Sequence, residues 1–517
     1  MNKKSMQVFR SVILVVSLVM LLSLPVKAGL AAPAASIEVN TTDDEFGSAP
    51  SYCSLREAVE AVHLGTSFGG CSNPSGLTAI HVPASALYNY SLTITGANEF
   101  SNATGDINIR DNLTISGDDL STTIISGSSI DRVFHIAPDK VVTLNNLSLI
   151  NGASPSHGGA IYNAGSLTLN NVSIHNNSAQ GSGGGIYSSY DGSVVASLNL
   201  NFSSVYTNTA TVSGGKGGGI ANDSGNINLY YSSIDHNTAY SDGGGIWSST
   251  GYTASIDHSL VYSNASQHGS GGNIYNFGPM TIDITRIYNG SANVDGGNIY
   301  TGYPGGGGSI MIITNSDISF GSAVGSGGGI ANDGILTITN TSFYNDGSSK
   351  GGALYTREPV STTSLNHVTM SGNLAGISGG FAIYHEALAT PVVVNNSILS
   401  DGFSAVCVGS VASTSSYNID SSTSCGLPGG QYNQSSIDPG LGAFDFHGYS
   451  FTKTFSLAVT SPAVDWIPAG ANGCGSTITA DQRGIVRPID GNRDGTPACD
   501  VGAFELQMNH YLPAILK

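Results

Sequence analysis

Between His157 and Ser400 a single phrase recurs nine times: two glycines, one small residue, then an aliphatic residue usually followed by an aromatic. The copies begin at Gly158, Gly183, Gly217, Gly243, Gly271, Gly296, Gly327, Gly351 and, with one residue inserted, Gly379. Successive starts lie 25, 34, 26, 28, 25, 31, 24 and 28 residues apart, so the shortest spacings define the unit and the excess reads as loops. A period of that size marks a repeat architecture in which each unit stacks on the next.

Within the copy from Gly158 to Gln180, three apolar alternations, Ala160-Ile161, Leu167-Thr168-Leu169 and Val172-Ser173-Ile174, are separated by Gly and Asn. Alternation at period two means strand rather than helix. Three short strands and three turns use up one unit, which is one coil of a right-handed parallel β-helix. Such a coil cannot bury its inward Ile and Leu alone, so it depends on the next coil about 4.8 Å away. Strand-like text without the glycine pair precedes the repeats, at Leu92 to Thr95, Ile107 to Ile109, Leu113 to Ile115, Thr123 to Ile125, Val133 to Ile136 and Val141 to Leu149. The expected fold class is therefore all-β, a single parallel β-helix of about thirteen coils and roughly 60 Å.

The phrases GGAI at Gly158 to Ile161 and GGAL at Gly351 to Leu354, with the aliphatic-x-x-Asn phrases ending at Asn177, Asn208, Asn237, Asn264 and Asn373, resemble the polymorphic outer-membrane protein repeats of pectin-lyase-like β-helices. The second motif begins here with Ile, Val or Met where those repeats usually have Phe. The asparagines themselves read as a structural ladder, because stacked amides satisfy one another at a turn and Asn tolerates the left-handed conformation.

Sixty-nine glycines and only 10% charged residues in 517 describe a large ordered all-β chain. Lys3, Lys4 and Arg10 precede an apolar run from Val12 to Val26, and Val26-Lys27-Ala28 suits cleavage, so residues 1–28 read as a signal peptide. Its removal leaves 13 of the 17 basic residues against all 35 acidic ones, a net of −22 with neutral His. Nucleic acid is excluded as a partner, since phosphate binding needs clustered Lys and Arg. The cysteines form three close pairs, Cys53 with Cys71, Cys407 with Cys425 and Cys474 with Cys499. Six cysteines leave 15 pairings open, of which the nearest-neighbour one gives three short loops outside the nine-copy region. Disulfides point to an oxidising, exported destination.

After an N-terminal linker (29–52), the segment 53–91 opens with CSLREAVEAV. Ser54 and Glu57 form a capping box, and Leu55, Ala58, Val59 and Val62 share one helical face. A helix over the first coil would protect an end that otherwise exposes unpaired backbone. The six letters CSLREA resemble the domain of that name in bacterial exported β-helix proteins. The β-helix is expected over 92–400. From 401 to 505 the text changes to Ser461-Pro-Ala-Val-Asp465, Asp481-Gln-Arg-Gly484, Arg487-Pro488 and Cys499-Asp-Val-Gly-Ala-Phe-Glu505, phrases that in this order resemble the C-terminal module called choice-of-anchor Q. A tail, 506–517, follows without a long apolar run, so no membrane span is expected in the mature chain.

Three sets of residues invite chemistry. Polysaccharide lyases or hydrolases need a base or paired carboxylates on the rod's side. Between the first and last glycine pairs the basic residues are Lys216, Arg286, Lys350 and Arg357, and Asp235 and Asp257 each precede a His, but at different points of the coil. No catalytic residue is therefore assigned. The residue after each inward aliphatic points outward, which places Tyr162, Tyr187, Trp247, Tyr275, Tyr300, Tyr355 and Tyr384 in one column, interrupted by Ala221 and Ala331. These rings are candidates for stacking on glycans; a purely structural stack is the competing reading. Finally, Asp490, Asn492 and Asp494 with Gly495 match the first half of a calcium loop, although Val501 stands where the loop requires Glu. Calcium is thus the one cofactor suggested, against a plain Asp/Asn/Gly turn. The reading favoured is an exported binding, adhesin-like or structural rod at the cell surface or outside, with polysaccharide or cell-envelope components as partners. The alternative is a polysaccharide lyase or glycoside hydrolase whose groove is built by the longer loops of the copies starting at Gly183 and Gly296.

Overall fold

The computed structural model describes residues 35–507 except 48–50, 86–88, 97–98, 192–194, 303–308, 358–360, 378, 387–389 and 402–404. The signal peptide and most of the tail therefore lie outside the described residues. All elements below belong to the unit Ile37–Lys517.

Each glycine phrase leads into one strand of a twelve-stranded parallel sheet that runs from Ile107–Ile109 to Cys407–Val408. Its inward position is occupied in register by Ile161, Ile186, Ile220, Ile246, Ile274 and Ile299, each at most 1% exposed. The first glycine of a pair has positive φ (69° at Gly158), and a Cβ there would lie 2.3 Å from the carbonyl oxygen of Ile161. A Cβ on the second, Gly159, would lie 2.1 Å from the carbonyl oxygen of Gly184 one coil on. The pair is therefore required by close rung-to-rung approach as well as by the turn.

Two further columns complete the coil. One is a sheet of nine very short strands, from Ala153–Ser154 to Leu374–Ala375. The other contains long strands such as Ser166–His175, bent at Asn171, whose φ is 52°. All named pairings are parallel except the hairpin of Leu441–Asp445 with Thr454–Leu457.

The asparagine ladder is buried and continuous. Asn177 donates to Asn208, Asn208 to Asn237 and Asn237 to Asn264, each Nδ2 also reaching a main-chain carbonyl. In the next two coils the turn position is Gly290 and then Gly321, and the amide comes instead from the glycine phrase. Asn264 donates to Asn273, Asn273 to Asn298 and Asn298 to Asp346. Asn273 and Asn298 thus fill the places left by the turn glycines.

The helix Leu55–Leu64 has the expected capping box and ends at Gly65 in the left-handed conformation. Leu55, Ala58, Val59 and Val62 join the core, while Arg56, 0% exposed, pairs with Asp44 and donates to the carbonyls of Asn102, Gly105 and Asp106. Each letter of CSLREA has a structural task here: disulfide, cap, core, clamp, cap and core. The rod exceeds the expected 92–400 at both ends. Ile37–Glu38, in the presumed linker, pairs with Ala79–Val82, and the ladder continues to Gln434–Ser435.

Three disulfides form, Cys53–Cys71, Cys407–Cys425 and Cys474–Cys499. The last lies in the C-terminal module, which folds back along the rod's flank. Asn340 and Asn366 donate to the carbonyls of Ala480 and Asn472, and Ser342 Oγ lies 2.7 Å from Gln482 Oε1. The module's phrases interlock: Asp500 accepts from the Asp465 amide, Glu505 from those of Ile489 and Asp500, and the buried Arg487 donates to the carbonyls of Asp500 and Gly502.

Candidate functional site

The outward column of the glycine sheet is in register as expected: Tyr162, Tyr187, Ala221, Trp247, Tyr275, Tyr300, Ala331, Tyr355 and Tyr384 follow one another coil by coil. It is not an open face along its length. Trp247, Tyr275, Tyr300 and Tyr355 are only 6, 7, 3 and 3% exposed, whereas Tyr162, Tyr187 and Tyr384 are half-buried. The rings cover one another: Tyr275 and Tyr300 stack at 4.7 Å and 11°, and Phe277 meets Tyr275 edge-on. Cations of the same chain cover further faces, Lys216 over Trp247, Lys350 over Tyr384 and Arg132 over Tyr162.

Where Ala331 interrupts the rings, charged groups converge. Arg357 pairs through Nη2 with Asp333 and through Nη1, at 3.5 Å, with Asp295. The Tyr300 hydroxyl donates to Asp333 Oδ2 at 2.6 Å, and the Tyr355 hydroxyl to Glu386 at 2.6 Å. Lys350 lies 3.6 Å from that same Glu386 oxygen. Asp333 is 1% exposed. Burial and then Asp333 raise the Tyr300 pKa, and burial and then Glu386 raise that of Tyr355, so both hydroxyls stay protonated. Burial opposes the charge of Arg357, but the hydrogen bond and charge of Asp333 outweigh it and raise its pKa. The result is a wall of neutral hydroxyls beside paired charges, with Arg357 and Lys350 facing the three carboxylates of Asp295, Asp333 and Glu386.

Of the other charged residues that the sequence singles out, Asp235, Asp257 and Arg286 lie apart from this cluster. Asp235 and Asp257 each bind the following histidine and sit on different ladders. Arg286 is held by the buried Asp317, whose other neighbour is the module's Lys453 amide. The signal for the Arg357 cluster was available as offset: Asp333 and Arg357 each lie two residues past the outward position of their coil, at Ala331 and Tyr355.

In the proposed calcium loop, Asp490 accepts from the amides of Asp494 and Gly495, Asn492 from that of Asp494, and Asp494 from that of Thr496. These are the bonds of an Asx-type turn. Among the described residues no group of three or more His, Cys, Asp or Glu side chains is arranged to hold a metal ion. A surface groove of about 410 Å³, lined by Ser129, Ser154, Ser178, Gln180 and Thr211 with Ile130, Ala153 and Pro155, carries no ionisable side chain.

No family model and no curated protein sequence matches the chain. Among solved structures, the crystal structure of pectate lyase Pel9A aligns over 92% of this chain and 97% of that one, at 12% identity and a TM-score of 0.37. The class defined by the chain's own strand pairing is the disulfide-bearing parallel β-helix.

Proposed function

We propose that the chain is an exported, extracellular or cell-surface β-helical rod that binds glycans without cutting them. The observation carrying this reading is the state of the acid–base cluster that Asp295, Asp333 and Arg357 form at the ring column. Arg357 is shared by Asp295 and Asp333, and Asp333 is shared by Arg357 and Tyr300. Elimination needs a base able to take a proton, and hydrolysis a carboxylate pair set across the scissile bond. Here both carboxylates are engaged by the same guanidinium, Asp333 also by the Tyr300 hydroxyl and Asp295 also by the Ser326 amide. Bound sugar would meet the column at its half-buried ends, Tyr162, Tyr187 and Tyr384, and the central rings would serve as the wall behind them. The export reading rests on the residues 1–28 and on the three disulfides. Calcium at Asp490, Asn492 and Asp494 would steady the C-terminal module only.

The alternative, a polysaccharide lyase or glycoside hydrolase, is favoured by one observation, the convergence of Asp295, Asp333 and Arg357 itself. A panel of immobilised neutral and acidic polysaccharides tests the binding reading. Retention that weakens when Tyr162 and Tyr384 are replaced by Ala supports binding at the column ends, whereas no retention on any member of the panel removes the glycan reading.

A further inference from the structure

The bend of the long strands places one residue per coil at positive φ, and in five coils that residue is Asn: Asn146, Asn171, Asn315, Asn340 and Asn396 all lie between 47° and 53°. Asparagine suits this conformation and its amide bridges coils, as when Asn171 donates to Asn146. Four consecutive coils depart from it with Phe202, Tyr231, His258 and Ile284, at φ values of 52°, 47°, 46° and 42°, and the first three carry rings. Bulky side chains are strained there, and strain of this kind that the fold does not require points to a use. The fold does not require it, since Asn serves the same bend at Asn171, one coil before Phe202, and at Asn315, one coil after Ile284.

The three rings form a stack. Phe202 and Tyr231 lie 5.5 Å apart at 10°, and Tyr231 and His258 4.7 Å apart at 26°, with Tyr230 edge-on to Tyr231 at 4.7 Å. Unlike the central rings of the glycine column, this stack reaches solvent: Phe202 is 57% and Tyr230 43% exposed. Polar outward side chains of the same strands adjoin it, Asn199 bridged by Asn228, then Asn201 and Asp257.

The same bend strip is already a docking strip within the molecule. Over the coils of Asn315, Asn340 and Asn396 it is covered by the chain's own C-terminal module, through Thr452, Ala480 and Gly502. That cover reaches the ring stack at Phe451, 5.9 Å from His258, and the outer face of Phe202 continues the strip beyond it. Where the module docks, the strip meets it through the Asn340 amide and the carbonyls of Asn315 and Asn396; where it is bare, it offers rings flanked by amides. Rings for C–H faces beside amides for hydroxyl groups recognise a sugar. Asp257 and Asp283 stand in register beside the stack, which disfavours a polyanion.

We infer that Phe202, Tyr231 and His258, with Tyr230, form a binding site for a neutral glycan chain lying along the rod beside the C-terminal module. The inference rests on the glycan-binding reading and gives it a second face, apart from the tyrosine column. The test is affinity electrophoresis and pull-down of the full mature chain on swollen cellulose, xylan and mannan, with polygalacturonate alongside, for wild type and for the double variant Phe202→Asn, Tyr231→Asn. Asparagine restores the residue type of the neighbouring coils, so the variant is expected to melt at an unchanged or higher temperature. A loss of at least tenfold in affinity for a neutral polysaccharide, with folding intact, is the expected result. Wild-type retention that the double variant preserves overturns this site and leaves the binding reading standing. Retention of the wild type on no probe overturns both. Dimerisation of the wild type that the double variant abolishes, seen by sedimentation, reassigns the strip to a second copy of the chain and overturns the glycan site.

Discussion

At the scale of single residues, the rod is held by side chains that close main-chain accounts no strand can close. Asn237, 0% exposed, donates to Val205 O and Asn264 and accepts from both the amide and the side chain of Asn208. Asn237→Ala leaves buried donors without partners and is expected to cost about 1–3 kcal/mol in chemical denaturation. Asp401 is a different case. It accepts from Asn373 at a ladder position, and burial pushes its pKa from 3.8 up to about 7. The unfolded chain releases this proton near 3.8 and the folded chain keeps it to about 7. Stability from this group is therefore full below the unfolded value, falls as pH rises through that window, and is lost above it. The interval corresponds to on the order of 4 kcal/mol. Asp401→Asn is expected to match wild type at pH 4 and exceed it at pH 8, as measured by denaturant midpoints; equal midpoints at pH 8 would show that the carboxyl is not desolvated. The ladder asparagines were legible because the aliphatic-x-x-Asn phrase fixes their place. Asn273 and Asn298 were not, because they enter the ladder from another part of the coil only where Gly290 and Gly321 leave room.

At the scale of elements, the glycine phrase made the inner sheet readable letter by letter, since each glycine of the first eight copies answers a contact under 3 Å with the next turn or coil. The capping helix was equally plain in Ser54, Glu57 and the spacing of its apolar residues. What could not be read was where the helix sits, because Arg56 joins it to residues near 50 positions away. Arg56→Ala removes a buried charge from Asp44 and three carbonyls, for an expected loss of about 3–5 kcal/mol. With the first strands uncovered, their open backbone edge invites pairing with another molecule. The variant is therefore expected to form linear assemblies by light scattering at temperatures where wild type stays monodisperse; a variant that loses stability without assembling would show that the edge is covered by something else. The ring column was also placed correctly in register, but its burial was not foreseen. Period-two patterning tells which way a side chain leaves the sheet and nothing about the rings, cations and loops that then close over it.

At the scale of the whole molecule, a long regular wall combined with few basic residues favours an extended ligand without dense negative charge. The clustering of Asp295, Asp333 and Arg357 came from coils 24 to 62 residues apart in sequence; the shared offset of Asp333 and Arg357 was readable, whereas the arrival of Asp295 carries no local signature. The C-terminal module follows the same logic: its phrases were recognisable, yet its position on the flank depends on partners such as Asn340 and Ser342, 140 residues away. Both features bear on the choice between holding and cutting a polysaccharide. The most direct measurement is a time course of new chain ends on whichever polysaccharide retains the mature protein, run with wild type and with Arg357→Ala. Retention with no new chain ends from either protein is the predicted result. New chain ends from wild type that disappear in Arg357→Ala would contradict the account and make the Asp295, Asp333 and Arg357 cluster an active site.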